Sequence, residues 1–232
     1  MQLLNDYFSY VTHFPVDEKE IAKRVKQAFK INSVYDLWKL KAAIRYSKDD
    51  RLGENQIMQD LGTSMYYLSG DCEDIARAQV VVGKLLGKPI SYLFLFPDFS
   101  YQGGHVCVIG QDGENRLYLL NYTTYIIGKD PVPYDTDDVR FREQLNALIF
   151  TLSSQKWAVV WVVNTDENEI PTSYSEIAYK PNASETDIVT YPDTPLIVSD
   201  YLDALSLTYT LAGDSVILIV GLTLLFGAIL GR

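Results

Sequence analysis

The sequence has few of the residues from which metal centres, disulfide frameworks and catalytic sites are usually built. Only two histidines and two cysteines occur in 232 residues: His13, Cys72, His105 and Cys107. No C-x-x-C or H-x-x-x-H spacing connects them, which argues against a structural zinc site, and two cysteines do not make a disulfide framework. The N-terminus also lacks the basic region and apolar run of a secretory signal, so none is predicted.

Basic side chains are in deficit as well. The chain has 20 lysines and arginines against 30 acidic residues, a net charge of −10, which argues against a nucleic-acid-binding protein. Residues 164–214 concentrate this deficit, because they contain ten acidic residues and one base, Lys180. We therefore predict a domain over residues 1–163, followed by an acidic arm or linker over residues 164–213 that contains tyrosine and proline. The five tyrosines of the arm indicate that it docks on a membrane or virion protein.

A cysteine between carboxylates marks the predicted start of a helix. Residues 70–76 read GDCEDIA, and apolar residues recur behind the cysteine with helical spacing. Asp71 is expected to cap the helix, with Asp74 as its partner in a pair resembling a capping box. Cys72 then lies in the first turn, where the positive end of the helix lowers a thiol pKa and favours a nucleophile.

A structural role for Cys72 is the alternative, since cysteine is often a small buried hydrophobe. The neighbouring carboxylates, which include Glu73, also disfavour a thiolate. An active Cys72 therefore requires compensation from a cationic histidine, a bound cation or both.

A predicted hairpin supplies the histidine. Residues 105–110 and 116–122 have the pattern of two strands joined by a turn with an Asp-Gly pair. If the hairpin is symmetric about Gly113, His105 lies directly opposite Asn121, and the two side chains share one face. The amide oxygen would then orient the imidazole and leave the other ring nitrogen to deprotonate Cys72, the logic of a Cys-His-Asn triad. A one-residue slip would turn Asn121 to the other face, and a histidine satisfied within the core is the alternative for His105.

The order of these residues resembles the transglutaminase-like superfamily. Within it, the bacterial transglutaminase-like cysteine proteinases and the transglutaminase-like proteins of phage genomes are most similar. The blocks that carry the resemblance are residues 70–76 (GDCEDIA), 104–108 (GHVCV) and 117–121 (LYLLN). Upstream, residues 44–49 and Gln56 resemble the run that precedes the cysteine there, so the likeness covers about residues 20–125.

The resemblance implies an α+β fold, with a papain/transglutaminase-like core of helices packed on a small antiparallel sheet. It also implies cleavage or transfer at an amide carbonyl, with Cys72 as nucleophile, His105 as base and Asn121 as third member. In the proteinase branch the acidic residues beside the cysteine bind calcium, and Asp71 and Glu73 match those positions. A calcium ion would offset the carboxylates beside the thiolate.

Two departures from the family pattern leave room for an inactive copy. The third member is usually aspartate and is Asn121 here, and the aromatic residue often found two positions after the histidine is Cys107.

The sequence therefore supports two functions. One is a membrane-anchored cysteine peptidase or amidase acting on a protein or a peptidoglycan peptide. The other is a catalytically inactive membrane or virion component that keeps the fold for docking.

The C-terminal segment is long and apolar. Residues 215–231 (SVILIVGLTLLFGAILG) contain no charged side chain. As a helix they would span about 25 Å, the low end for a bilayer core. We predict that residues 214–232 form a single-pass transmembrane anchor in a host-cell or viral membrane. A buried helix, or one inserted into a partner protein, is the alternative.

Overall fold

The structure is a computed structural model that describes residues 8, 11, 13–47, 58–101, 104–152 and 157–179, together with the backbone of residues 188–191. Within these ranges, no helix combines the length and the apolar character that crossing a membrane requires. The predicted anchor over residues 214–232 lies outside the described residues, as does Gln56.

Five α-helices are described. They are α1 (Glu18–Ala28), α2 (Val34–Lys39), α3 (Leu61–Tyr67), α4 (Cys72–Gly83) and α5 (Val139–Leu152). Polar side chains cap the first four, as the sequence led us to expect for α4. The capping residues, each of which accepts a backbone N–H of the first turn, are Asp17, Ser33, Asp60 and Asp71. Short 3₁₀ turns continue α2 (Leu40–Ala43) and α4 (Lys84–Leu86).

The strands form one large sheet and one short pair. The pair consists of β1 (Arg45–Tyr46) and β2 (Ser69–Gly70), which run parallel. The large sheet contains β3 (Ile90–Phe96), β4 (His105–Gln111), β5 (Arg116–Leu120), β6 (Tyr125–Pro131), β7 (Val159–Thr165), β8 (Pro171–Ala178) and β9 (Ile188–Tyr191). Its order is β8-β7-β3-β4-β5-β6-β9, and each neighbouring pair is antiparallel.

Helices cover both faces of this sheet. Helices α1 to α4 bury one face in a core that includes Trp38, Tyr92 and Phe94, whereas α5 covers the other face through residues such as Phe141 and Leu145. Burial on both faces explains why β3 is apolar at every position except Ser91 instead of alternating. The predicted α+β class, with helices on an antiparallel sheet, is confirmed at this level.

The sheet is larger than the small sheet predicted. Residues 171–178 and 188–191, which the sequence analysis placed in the acidic arm, form β8 and β9 and pair with β7 and β6. The strand was predicted as part of a linker because β8 lies at the edge of the sheet and most of its side chains are exposed. Its buried residue is Ile177. Such a strand has the polar, acidic composition of a linker, so composition alone does not reveal it.

Candidate functional site

Cys72 is the first residue of α4, as predicted. Asp71 caps the helix, and the reciprocal bonds between Asp71 and Asp74 make the predicted capping box. The residue before the cap must be glycine, because a Cβ at Gly70 would approach the Asp74 side chain to 2.6 Å. Helix α4 packs on β3 and β4, and this packing brings its N-terminus to the beginning of β4.

His105 is the first residue of β4 and therefore lies at this same end of the sheet. The backbone N–H of Val106, the next residue, faces the Cys72 sulfur and acts to lower the pKa of its thiol. Gly104 lets the chain enter the strand closely, since a Cβ there would come within 2.9 Å of the Phe96 ring. The fold thus brings the N-terminus of α4 to the beginning of β4, although 33 positions of sequence separate Cys72 from His105.

Asn121 follows β5 and completes the cluster. Its amide oxygen lies 2.8 Å from His105 Nε2, and its amide nitrogen donates to Thr123 Oγ1 at 3.4 Å. This arrangement puts the imidazole proton on Nε2, so that Nδ1 carries the lone pair of the neutral ring. The ring is also stacked on Trp157, with 6.4 Å between the centroids.

The predicted register of the hairpin is wrong by two residues. Val108 pairs with Leu120 and Gln111 with Leu117, so that paired numbers sum to 228 instead of 226. The turn is displaced because Asn115 adopts a left-handed conformation (φ 60°) and the Asp112 N–H bonds to the Arg116 carbonyl. His105 and Asn121 consequently meet diagonally, and they still share a face because side chains alternate with a period of two.

Trp38 fixes the backbone of Asn121 through a hydrogen bond. Its indole N–H donates to the Asn121 carbonyl oxygen at 3.0 Å, and the backbones of Asn121 and Thr124 bond to each other in a tight turn. No signal in the sequence connects Trp38 with Asn121, because the two lie 83 positions apart.

The resting thiol bonds to a carboxylate instead of to the histidine. Cys72 Sγ donates to Glu73 Oε2 at 3.0 Å, and no hydrogen bond joins Cys72 to His105. Burial, followed by the charge of Glu73, raises the pKa of the Cys72 thiol well above its ordinary value. The thiol is therefore protonated at neutral pH. The carboxylates beside it disfavour the thiolate, as the sequence predicted.

The same carboxylate group has an unused oxygen. Glu73 is 1% exposed, and its Oε1 has no hydrogen-bond partner among the residues that the structure describes. Ligand atoms of Asp71, Cys72 and Glu73 all lie within 4.8 Å of one another. An orphaned buried carboxylate oxygen beside a second carboxylate fits a hard cation such as calcium, although calcium would need further oxygens to complete six to eight ligands.

His105 is expected to titrate below its ordinary value. Burial lowers its pKa from 6.5, whereas the bond to Asn121 and the charge of Glu73 act in the opposite direction. Replacing Asn121 by alanine removes one of the contributions that raise this pKa, and the midpoint should fall further. The measurement is an NMR titration of the imidazole protons, with His13→Gln identifying the His105 signal. A His105 midpoint above 6.5, or one unchanged in Asn121→Ala, would contradict this account.

The remaining cysteine and histidine lie apart from the site. Cys107 is buried under α5, on the face opposite α4, and its thiol points at the Leu93 carbonyl oxygen. His13 is largely exposed, with its ring 3.9 Å from Asp60.

Two comparisons with known proteins found no match. No family model matches the chain, and no curated protein matches it.

Proposed function

We propose that the protein is a cysteine peptidase or amidase with a papain/transglutaminase-like core, which hydrolyses an amide bond in a protein or a peptidoglycan peptide. The observation that carries this proposal is the bond between His105 Nε2 and Asn121 Oδ1. This bond leaves Nδ1 of His105 as a base at the end of the sheet where α4 begins with Cys72. The resemblance to the transglutaminase-like superfamily supports the same roles. Residues 215–231 would anchor the enzyme in a host-cell or viral membrane.

Catalysis would proceed through a thioester. His105 Nδ1 takes the thiol proton, and Cys72 Sγ attacks the amide carbonyl carbon. The C–N bond breaks, and the amine leaves with the proton from His105. Water then attacks the thioester while His105 accepts its proton, the C–S bond breaks, and the carboxylic acid and the free thiol are released. The N–H of Cys72, which has no helical acceptor as the first residue of α4, is available to stabilise the oxyanion.

An activation step would precede this reaction, because Glu73 holds the thiol protonated in the resting site. Asp71 and Glu73 are the residues that would hold a calcium ion. When bound, the ion would supply positive charge beside the sulfur and compete for the carboxylate that the thiol now uses. Cys72 would then be released to His105.

The thiol bond to Glu73 also favours a second candidate function. A half-buried, protonated cysteine that does not bond to the histidine is what an inactive copy would keep. In that case the protein is a membrane or virion component that retains the fold for docking, and its acidic segment contacts a partner protein.

Alkylation of the full chain with iodoacetamide separates the two functions. With calcium present at pH 7, Cys72 should react faster than a free thiol such as N-acetylcysteine, because the coupled histidine supplies thiolate. Cys107 is the internal control, since it is 2% exposed and should not react. Peptide mapping by mass spectrometry reports both sites. If Cys72 reacts more slowly than N-acetylcysteine both with and without calcium, the enzymatic function is rejected and the docking function is favoured.

A further inference from the structure

An open pocket lies at the C-terminal end of α1, where this helix meets the 3₁₀ turn that follows α4. Its volume is about 480 Å³, and three lysines, two carboxamides and one leucine line it: Lys23, Lys26, Lys30, Gln27, Asn32 and Leu85. No acidic residue is part of this lining, as far as the structure describes it. We call this site the lysine pocket, and the proposed reaction uses none of its residues.

Positive charge is in excess at the lysine pocket, in a chain whose net charge is −10. Helix α1 and the next four residues contain five bases and two acids, a net charge of +3. The Glu20 carboxylate is shared by Lys23 at 3.6 Å and Arg24 at 3.3 Å. The Lys26 ammonium donates to a neutral acceptor, the Leu85 carbonyl oxygen, at 2.8 Å. The carboxylates of the described residues therefore leave part of the positive charge of the pocket without a counterion.

Lys30 is held in a strained backbone conformation. Helix α1 ends in a Schellman motif, in which the Ile31 N–H donates to the Lys26 carbonyl at 2.9 Å and the Lys30 N–H to the Gln27 carbonyl at 3.2 Å. The motif places Lys30 at φ 51°, in the left-handed region that glycine adopts without steric cost. The negative end of the helix favours a nearby cation, and Lys26 already supplies one. A lysine at a position suited to glycine therefore indicates a role for its ammonium group.

The groups that line the pocket match a phosphoester. Ammonium groups bind phosphate as point charges that approach its oxygens from several directions, and carboxamides donate further hydrogen bonds. A free phosphate would fill a small part of the volume, and the remainder, beside Leu85, accommodates a short organic group. We propose that the lysine pocket binds the phosphate of an anionic phosphoester, which is either the headgroup of a phospholipid or a soluble molecule.

The position of the pocket is compatible with a phospholipid as the source. Leu85 follows Cys72 by 13 positions, so the pocket lies about 20 Å from Cys72 along α4. If residues 215–231 anchor the chain, lipid phosphates are present at a high local concentration. A bilayer bound at the pocket would leave the candidate triad, at the far end of α4, open to a substrate. The lipid source rests on the proposed anchor, whereas the phosphate site itself does not depend on the proposed function.

Acetylation of lysines by an N-hydroxysuccinimide ester tests the pocket. The full chain is held in dodecyl maltoside micelles in Hepes buffer, and mass spectrometry gives the acetylation rate of each lysine. Glycerol 3-phosphate should slow the acetylation of Lys30 about threefold at twice its dissociation constant, because about two thirds of the sites are then occupied. Dihexanoylphosphatidylglycerol should also protect Lys30. Lys39, which is exposed at the end of α2 and outside the lining, should keep its rate.

Variants separate the pocket from the general charge of the helix. Lys23→Gln should weaken the binding of glycerol 3-phosphate about fivefold, measured from the protection of Lys30. Arg24→Gln is the matched control, since Arg24 shares Glu20 with Lys23 but does not line the pocket. It should change the dissociation constant by less than about twofold at physiological salt. An equal effect of the two variants would overturn the pocket.

Lys30→Gly tests whether the strained lysine serves binding. Glycine removes the ammonium group and relieves the left-handed strain, so the melting temperature should stay the same or rise. The binding of glycerol 3-phosphate, measured from the protection of Lys26, should weaken about fivefold. Unchanged binding in Lys30→Gly would overturn the role of this residue and the site built on it.

The remaining outcomes identify the ligand. Half-maximal protection at a lower concentration of dihexanoylphosphatidylglycerol than of glycerol 3-phosphate supports a lipid headgroup, and the reverse order supports a soluble phosphoester. Equal protection by sodium chloride at the same ionic strength, or by dihexanoylphosphatidylcholine, would overturn the proposal, because screening or coverage by the micelle would then explain it. Failure of the lysine pocket leaves the proposed enzymatic function standing, because alkylation of Cys72 tests that function separately.

Discussion

Replacement of His105 by alanine is expected to lower the rate of Cys72 alkylation at pH 7 about 100-fold, the lower end of what a positioned general base contributes. Burial and the Glu73 carboxylate hold the thiol in its protonated form, and His105→Ala removes the imidazole that is proposed to take its proton. The measurement is the second-order rate constant for iodoacetamide at Cys72, followed by peptide mapping with calcium present. Hydrolysis of a peptide amide, once a substrate is found, should fall by at least the same factor.

His13→Ala is the control for this experiment, because it removes the other histidine of the chain from an exposed position, with a side chain 77% accessible. It should react like the unmodified protein. Loss of less than about threefold in His105→Ala would mean that Cys72 and His105 are not coupled. The bond between His105 and Asn121 would then be structural, and the docking function would be favoured.

Glu73→Gln is expected to have the opposite effect and to raise the alkylation rate of Cys72 about tenfold in the absence of calcium. The carboxylate raises the thiol pKa both through its charge and through the hydrogen bond it accepts, and glutamine removes the charge at nearly constant shape. Each unit by which the pKa falls gives tenfold more thiolate, of which lower nucleophilicity takes back about a factor of three, so the tenfold gain corresponds to a fall of about two units. The curve of Cys72 alkylation rate against pH should therefore lie at lower pH in Glu73→Gln than in the unmodified protein.

Glu114→Gln provides the matched control, since its side chain is 73% exposed in the turn between β4 and β5. It should leave the rate unchanged. If Asp71 and Glu73 hold calcium, the unmodified protein should also react faster with calcium than with a chelator, whereas Glu73→Gln should lose this response. An unaltered rate in Glu73→Gln would show that the carboxylate does not control the thiol.

The sequence by itself determined the local features on which the site depends. Asp71 and Asp74 identify the beginning of α4, because a capping box satisfies the same open N–H groups in any fold. The common face of His105 and Asn121 follows from alternation along the hairpin. It survives the two-residue error in register, because side chains repeat with a period of two.

Only the tertiary structure decided which groups these local features meet. The partner of the Cys72 thiol is Glu73, since packing buries that carboxylate beside the sulfur. Trp38 reaches Asn121, and Tyr46 reaches Tyr122, through contacts between segments about 80 positions apart. Strand β8 belongs to the sheet through backbone bonds that carry no compositional signal. Capping and alternation are encoded within a few neighbouring residues, whereas these pairings depend on how whole helices and strands pack.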